Sequence, residues 1–214
     1  MIKSKLIGKS DAPYTAFILH GYGSNYNDMS GLAEELLSSN SQLANKVKFL
    51  SLNAPHPWEG GMPNAYQWFS LNSRDEQSVY AGLQSCHSII EQYISDYIAS
   101  NNLTWDKIIL SGFSQGAMIS LHTSIRLHDK IAGVVCFSGT IIKRELVATE
   151  AKSKPPMCFI HGKQDEILPY QSSQLAHSQM QSIGVPSTLH LFDNLGHSID
   201  HRCVHAAQKF LLSL

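Results

Sequence analysis

The chain has 214 residues, 43% of them hydrophobic and 15% charged, and its 16 basic and 17 acidic side chains leave a formal net charge of −1. That content suffices for one sizeable core, and no Gly-, Ser- or Pro-rich linker interrupts it, so residues 1–214 read as a single domain. No run of lysine or arginine concentrates positive charge, which argues against nucleic acid or an anionic membrane surface as a partner.

The first fourteen residues carry lysines but no apolar stretch long enough for a signal sequence, and nothing later approaches the roughly 20 apolar residues of a spanning helix. Stable membrane insertion is therefore not expected. The four cysteines, Cys86, Cys136, Cys158 and Cys203, are widely separated, and two sit inside apolar runs as small hydrophobes. This pattern points to a reducing, cytoplasmic setting.

In chain order, "YTAFILH" (14–20) predicts a strand that ends at the glycine-flanked turn "GYGSN" (21–25), and "KVKFLSLN" (46–53) predicts a second strand. Residues 53–74 hold three prolines, two glycines, Trp58 and Trp68 without a sustained period. Two readings stand side by side: a functional segment, with Trp68 and Phe69 walling a substrate pocket, or a surface excursion with a short edge strand at "YQWFSL". A long helix follows over about 77–100, where Val79, Leu83, Cys86, Ile90, Tyr93 and Tyr97 recur at three- and four-residue steps.

"KIILSGF" (107–113) predicts a strand buried on both faces, and "SQGAMISLHTSIRL" a helix starting at Gln115. Between them "GFSQG" puts Ser114 on a strand-to-helix turn whose glycines permit close backbone contact, the context that a nucleophile elbow requires. Further strands are expected at 131–138, 156–162 and 187–193, and a terminal helix over about 199–212. Alternating strands and helices predict an α/β fold with a mainly parallel sheet, helices on both faces and a site at the strands' carboxyl ends.

A serine hydroxyl needs a base, and the base needs an acid partner, both on loops after later strands. Asp165 in "HGKQDEILP" and His197 in "NLGHSID" arrive in the Ser, Asp, His order of the hydrolase triad. Asp193, Glu166 and Asp200 are the rival acids; Asp200 reads as helical. Backbone N–H groups of Gln115 and Tyr22 are the candidate oxyanion donors. His197, His201 and His205 have helical i, i+4, i+8 spacing, but no carboxylate motif completes a metal site, and none is assigned.

Together "LHGYGSN", "NAPHP", "GFSQG", "GKQDEILP" and "GHSI" resemble the phospholipase/carboxylesterase family of α/β-hydrolases, which includes bacterial carboxylesterases and acyl-protein thioesterases. The resemblance covers nearly the whole chain. It implies the Ser114, Asp165, His197 triad, oxyanion donors at Tyr22 and Gln115, Ile167 beside the acyl pocket, no cofactor, and often a homodimer. Ala117 replaces the glycine usual after "GFSQG", Tyr22 replaces a leucine, and Thr140 stands near a bulkier pocket residue of the thioesterases. The expectation is a serine carboxylesterase acting on small-molecule esters of short- to medium-chain acids. The alternatives are an acyl-protein thioesterase or lysophospholipase on the same triad, acting on acylated protein or lysophospholipid, and a catalytically idle binding module.

Overall fold

The computed structural model describes residues 2–214. Seven strands form one sheet: β1 (Ser4–Ile7), β2 (Tyr14–Leu19), β3 (Val47–Leu52), β6 (Ile108–Phe113), β7 (Gly133–Phe137), β8 (Met157–Gly162) and β9 (Ser187–Phe192). They lie in the order β1-β3-β2-β6-β7-β8-β9, all neighbours parallel except β1 against β3. β4 (His56–Pro57) and β5 (Tyr66–Gln67) make a separate two-stranded ladder.

Helices cover both faces because the strands are apolar on both. On β2, Phe17 and Leu19 pack into one core layer while Ala16 and Ile18 pack into the other. The same alternation runs through β6, β7 and β8, since successive side chains of a strand point to opposite faces. The first layer is filled from α3 (Glu76–Asn101), α4 (Gln115–Ser124) and α6 (Gln171–Ser182). The second is filled from α1 (Tyr26–Ser38), α2 (Ser41–Lys46) and α7 (His201–Ser213); a short α5 (Val147–Glu150) precedes β8. All four cysteines are buried as free thiols.

The chain-order reading places six of the seven sheet strands. β1 escapes it because three of its four residues are exposed, so "SKLI" carries no apolar alternation. Asp200 is not helical: its extended backbone and carboxylate cap α7, accepting the N–H groups of Arg202 and Cys203. That cap starts the helix after His197, which keeps His197 off the face shared by His201 and His205.

Two buried histidines make stability depend on pH. Burial lowers His20 from 6.5 to about 4, partly offset by its contact with the Gly21 carbonyl, and burial lowers His122 to about 3, helped by the nearby Arg126 charge. Both are neutral in the folded state at pH 7. Since the unfolded chain takes up their protons first, the stability they contribute is complete above about pH 6.5 and is lost as pH falls toward 4. Urea midpoints should therefore already drop between pH 7 and about pH 5.5, above the range in which carboxylates take up protons; equal midpoints would show that the two histidines do not matter to stability.

Candidate active site

The carboxyl ends of β2, β6, β8 and β9 meet at one edge of the sheet, and each contributes one part of the site. At the end of β6, Ser114 has φ 53° and ψ −114°, a backbone state that L-residues rarely adopt, and its N–H is held by the Phe137 carbonyl at 2.9 Å. Two glycines make this turn sterically feasible. A Cβ on Gly112 would lie 2.4 Å from the Gly116 backbone, and one on Gly116 would lie 2.2 Å from the Leu19 carbonyl oxygen. The second contact shows that the start of α4 presses directly on the end of β2. Ala117 is accommodated because Gly139 lies opposite: a Cβ there would come within 2.7 Å of the Ala117 methyl.

The loop after β2 lies against the elbow, with Gly21 so close that an added Cβ would sit 3.5 Å from the Ser114 Cβ. Among the described residues, neither the Tyr22 nor the Gln115 backbone N–H has a hydrogen-bond partner. In the Tyr22 turn the following amides are engaged, Gly23 donating to Tyr66 and Ser24 to Gly21, while Gln115 opens α4, where first-turn amides have no partner within the helix.

The loops after β8 and β9 are joined to each other. Gln164 donates its N–H to the Leu195 carbonyl at 2.9 Å, and a Cβ on Gly162 would lie 2.3 Å from that same oxygen. This close approach sets His197 Nδ1 2.6 Å from Asp165 Oδ2. The other oxygen, Oδ1, accepts the N–H groups of Ile167 at 2.9 Å and Leu168 at 2.8 Å. Burial works against the Asp165 charge, yet the Leu168 N–H, His197 and the Ile167 N–H outweigh it and hold the carboxyl below its ordinary range. Asp165 is thus an ionised, buried acceptor.

Ser114 and His197 share the same edge, and the Phe113 ring rests 4.7 Å, centroid to centroid, from the imidazole. Ser114 Oγ and His197 form no direct hydrogen bond in this state. The rival acids stand elsewhere: Asp193 is exposed and paired with Lys163 at 3.0 Å, Glu166 is exposed, and Asp200 caps α7. No group of three or more His, Cys, Asp or Glu side chains among the described residues is arranged to hold a metal.

The aromatic segment differs from its expected role. Trp68 is 1% exposed and Phe69 7%; both belong to the core, not to an open wall. The cause is hydrogen bonding: the Trp68 indole N–H donates to the His20 carbonyl at 3.0 Å, and the Gln115 side chain accepts the Trp68 N–H at 3.0 Å while donating to the Phe69 carbonyl at 2.9 Å. Trp68 therefore fastens the loop after β2 to the elbow from below. Trp68→Ala should cost about 3–5 kcal/mol in urea unfolding, as expected for a large aromatic lost from a core; a loss under about 1 kcal/mol would show that the side chain is not part of it. Ile167 is 71% exposed beside Asp165. A cavity of about 290 Å³ touches His197 and is lined by Met29, Leu32, Phe113 and Ile199 together with the polar Asp28, Glu35 and Ser198.

Three contributors went unnoticed in the sequence. His20 accepts the Ala54 N–H at 2.9 Å and ties residues 53–74 to the end of β2. Glu59 accepts from Tyr22 Oη, from Ser70 Oγ at 2.6 Å and from the Leu71 N–H at 3.0 Å, and these bonds, the one from Ser70 foremost, lower it to about 2. His161 contacts Asp165 from inside the protein. Their partners are remote in sequence or on irregular backbone, where no periodicity reports them.

A parallel sheet with one antiparallel edge, a strained serine turn at its centre and an Asp–His contact on the loops after β8 and β9 define the α/β-hydrolase class. The esterase PE8 crystal structure superimposes with a TM-score of 0.91, at 30% identity over 99% of this chain and 98% of that one. The sequence profile of the phospholipase/carboxylesterase family matches residues 5–214, and the chain belongs to that family. An acyl-protein thioesterase 1 homolog of Dictyostelium discoideum is 27% identical over 99% of this chain and 96% of its own length. The acyl-protein thioesterase 1 of Kluyveromyces lactis is 32% identical over 72% of this chain and 70% of its own. The protein is accordingly a hydrolase of the serine-hydrolase type. No helix among the described residues is long and apolar enough to cross a membrane.

Proposed function

We propose that the protein hydrolyses carboxylic esters of short- to medium-chain acids through an acyl-enzyme on Ser114. The observation that carries this reading is the 2.6 Å contact of Asp165 with His197 Nδ1 on the sheet edge that also presents Ser114. An ionised carboxylate at Nδ1 keeps the proton there and leaves Nε2 free as a base. His197 takes the Ser114 proton as Oγ attacks the ester carbonyl, and then delivers it to the departing alcohol. Water repeats the sequence on the acyl-enzyme, releasing the acid and restoring Ser114. The free N–H groups of Tyr22 and Gln115 meet the charge on the carbonyl oxygen.

Met29, Leu32, Phe113 and Ile199 give the surface beside His197 an apolar character, which supports an ester with an apolar acyl or alcohol group. The second reading is an acyl-protein thioesterase or a lysophospholipase on the same residues: the names of the relatives from D. discoideum and K. lactis favour the thioesters of acylated protein, and the oxygen ester of a lysophospholipid would be cleaved by the same chemistry. The single sheet, built from segments near both ends of the chain, supports reading residues 1–214 as one domain, and four buried free thiols support a cytoplasmic setting.

Matched p-nitrophenyl esters and acyl thioesters from two to sixteen carbons, or about that span, test the assignment. Turnover should be highest on esters of short to medium acids and fall as the chain lengthens. A maximum on long-chain thioesters would replace the first reading by the second.

A further inference from the structure

The triad acid has a second imidazole. His161, near the end of β8, is 1% exposed, and its Nε2 lies 3.0 Å from Asp165 Oδ2, the same oxygen that contacts His197 Nδ1, and 2.9 Å from the Leu168 carbonyl oxygen. A carboxylate and a carbonyl only accept hydrogen bonds, so His161 Nε2 must carry a hydrogen. On the other side of the ring, Nδ1 lies 2.6 Å from Ser173 Oγ; that hydroxyl has one hydrogen and two acceptors in reach, Nδ1 and the Gly139 carbonyl at 2.7 Å, and giving it to Nδ1 matches a neutral ring whose own hydrogen is on Nε2. These contacts clamp the ring between β8, α6 and the turn after β7.

We propose that His161 is a positioning residue for catalysis: a neutral, Nε2-protonated imidazole that holds Asp165 Oδ2 in place for His197 and shares its charge. The proposal rests on the Ser114, His197, Asp165 reading above. The groups facing His161 are Asp165, His197, the Ser173 hydroxyl and the carbonyls of Leu168 and Gly139; only Asp165 and His197 among them titrate. Burial pushes the imidazole below its ordinary range against the pull of the Leu168 carbonyl and Asp165, in keeping with the neutral form.

Neutrality matters for the chemistry. A cation at this position would cancel the Asp165 charge that His197 needs when it becomes an imidazolium. A neutral donor leaves that charge in force while fixing Oδ2 from the protein side, as the Ile167 and Leu168 N–H groups fix Oδ1. The carboxylate then has no freedom to turn away from His197. Sequence reading passes over His161 because it falls inside an apolar strand run, where a lone histidine reads as a core residue.

Two measurements test this. In ¹⁵N-histidine-labelled native protein, His161 should show an unprotonated Nδ1 and a protonated Nε2 across the active pH range; an imidazolium or an Nδ1–H tautomer would overturn the proposal, and this result needs no variant to fold. Removing the donor in His161→Leu concentrates charge on Oδ2, which strengthens its hold on the His197 imidazolium. The midpoint of the acid limb of kcat/KM should therefore rise by about half a pH unit or more, with kcat down ~10-fold and KM little changed. His161→Gln, which keeps a donor near the Nε2 position, should restore most of both. If His161→Leu folds and keeps the wild-type limb and kcat, His161 is only structural. A wild-type enzyme with no acid limb at all would instead count against His197 as the base, and so against the triad.

Discussion

Ser114→Ala is expected to reduce kcat/KM toward ester substrates by up to ~10⁶, leaving the folded protein intact. The two halves of that expectation have separate grounds. Loss of Oγ removes the atom that bonds to the acyl carbon, and the other serine with a positive φ at this edge, Ser138 at the end of β7, is buried. Folding is spared because the hydroxyl makes no capping bond to α4, while the N–H bond to Phe137 and the Gly112 and Gly116 contacts belong to the backbone and remain. Circular dichroism and a urea midpoint close to wild type should accompany the lost activity. Retention of more than about a tenth of wild-type turnover would remove Ser114 from the mechanism.

Asp165→Asn should cost at least ~10², and up to the ~10⁴ seen when a serine-protease triad aspartate becomes an amide. The hydrogen bonds dictate how the amide must sit. Oδ1 already accepts two backbone N–H groups, at 2.9 and 2.8 Å, so the asparagine oxygen stays there and its NH₂ takes the place of Oδ2. That NH₂ then points at His197 Nδ1 and at the Nε2–H of His161. Nδ1 becomes an acceptor, the ring proton moves to Nε2, and the base is blocked. Asp193→Asn and Glu166→Gln should stay within several-fold of wild type, since one is exposed and paired with Lys163 and the other is exposed. A near-normal Asp165→Asn enzyme beside a crippled Asp193→Asn one would show that the acid comes from the loop after β9.

The sheet was legible in the sequence where burial imposes a pattern. "KIILSGF" and "VVCFS" are apolar on both faces because helices cover both, and the long α3 repeats its apolar positions at helical steps. The exposed edge strand "SKLI" has no such constraint and left no trace. At the candidate site, glycines and strand ends pointed to Ser114, Asp165 and His197, because a tight turn needs small residues and each strand end is marked by the end of its apolar run; the fold puts Asp165 against His197 and Ser114 on the same edge. Trp68 shows the limit. An aromatic residue in an irregular segment looks the same in sequence whether it faces a pocket or the core, and its burial here goes with hydrogen bonds that it donates to Gln115, 47 positions away, and to the His20 carbonyl. Glu59 was hidden for the same reason, its partner Tyr22 being 37 positions away, whereas His161 lies only four residues from Asp165 but inside an apolar strand run, where a lone histidine reads as core.

The central claim is that Ser114 is a nucleophile activated at this edge, and covalent labelling tests it without assuming a substrate. A fluorophosphonate should add once to the wild-type protein, with digestion and mass spectrometry placing the adduct on the peptide that contains "GFSQG". Ser114→Ala should take up no label, and Asp165→Asn should take it up far more slowly. Labelling of another serine, or unchanged labelling of Ser114→Ala, would contradict the claim.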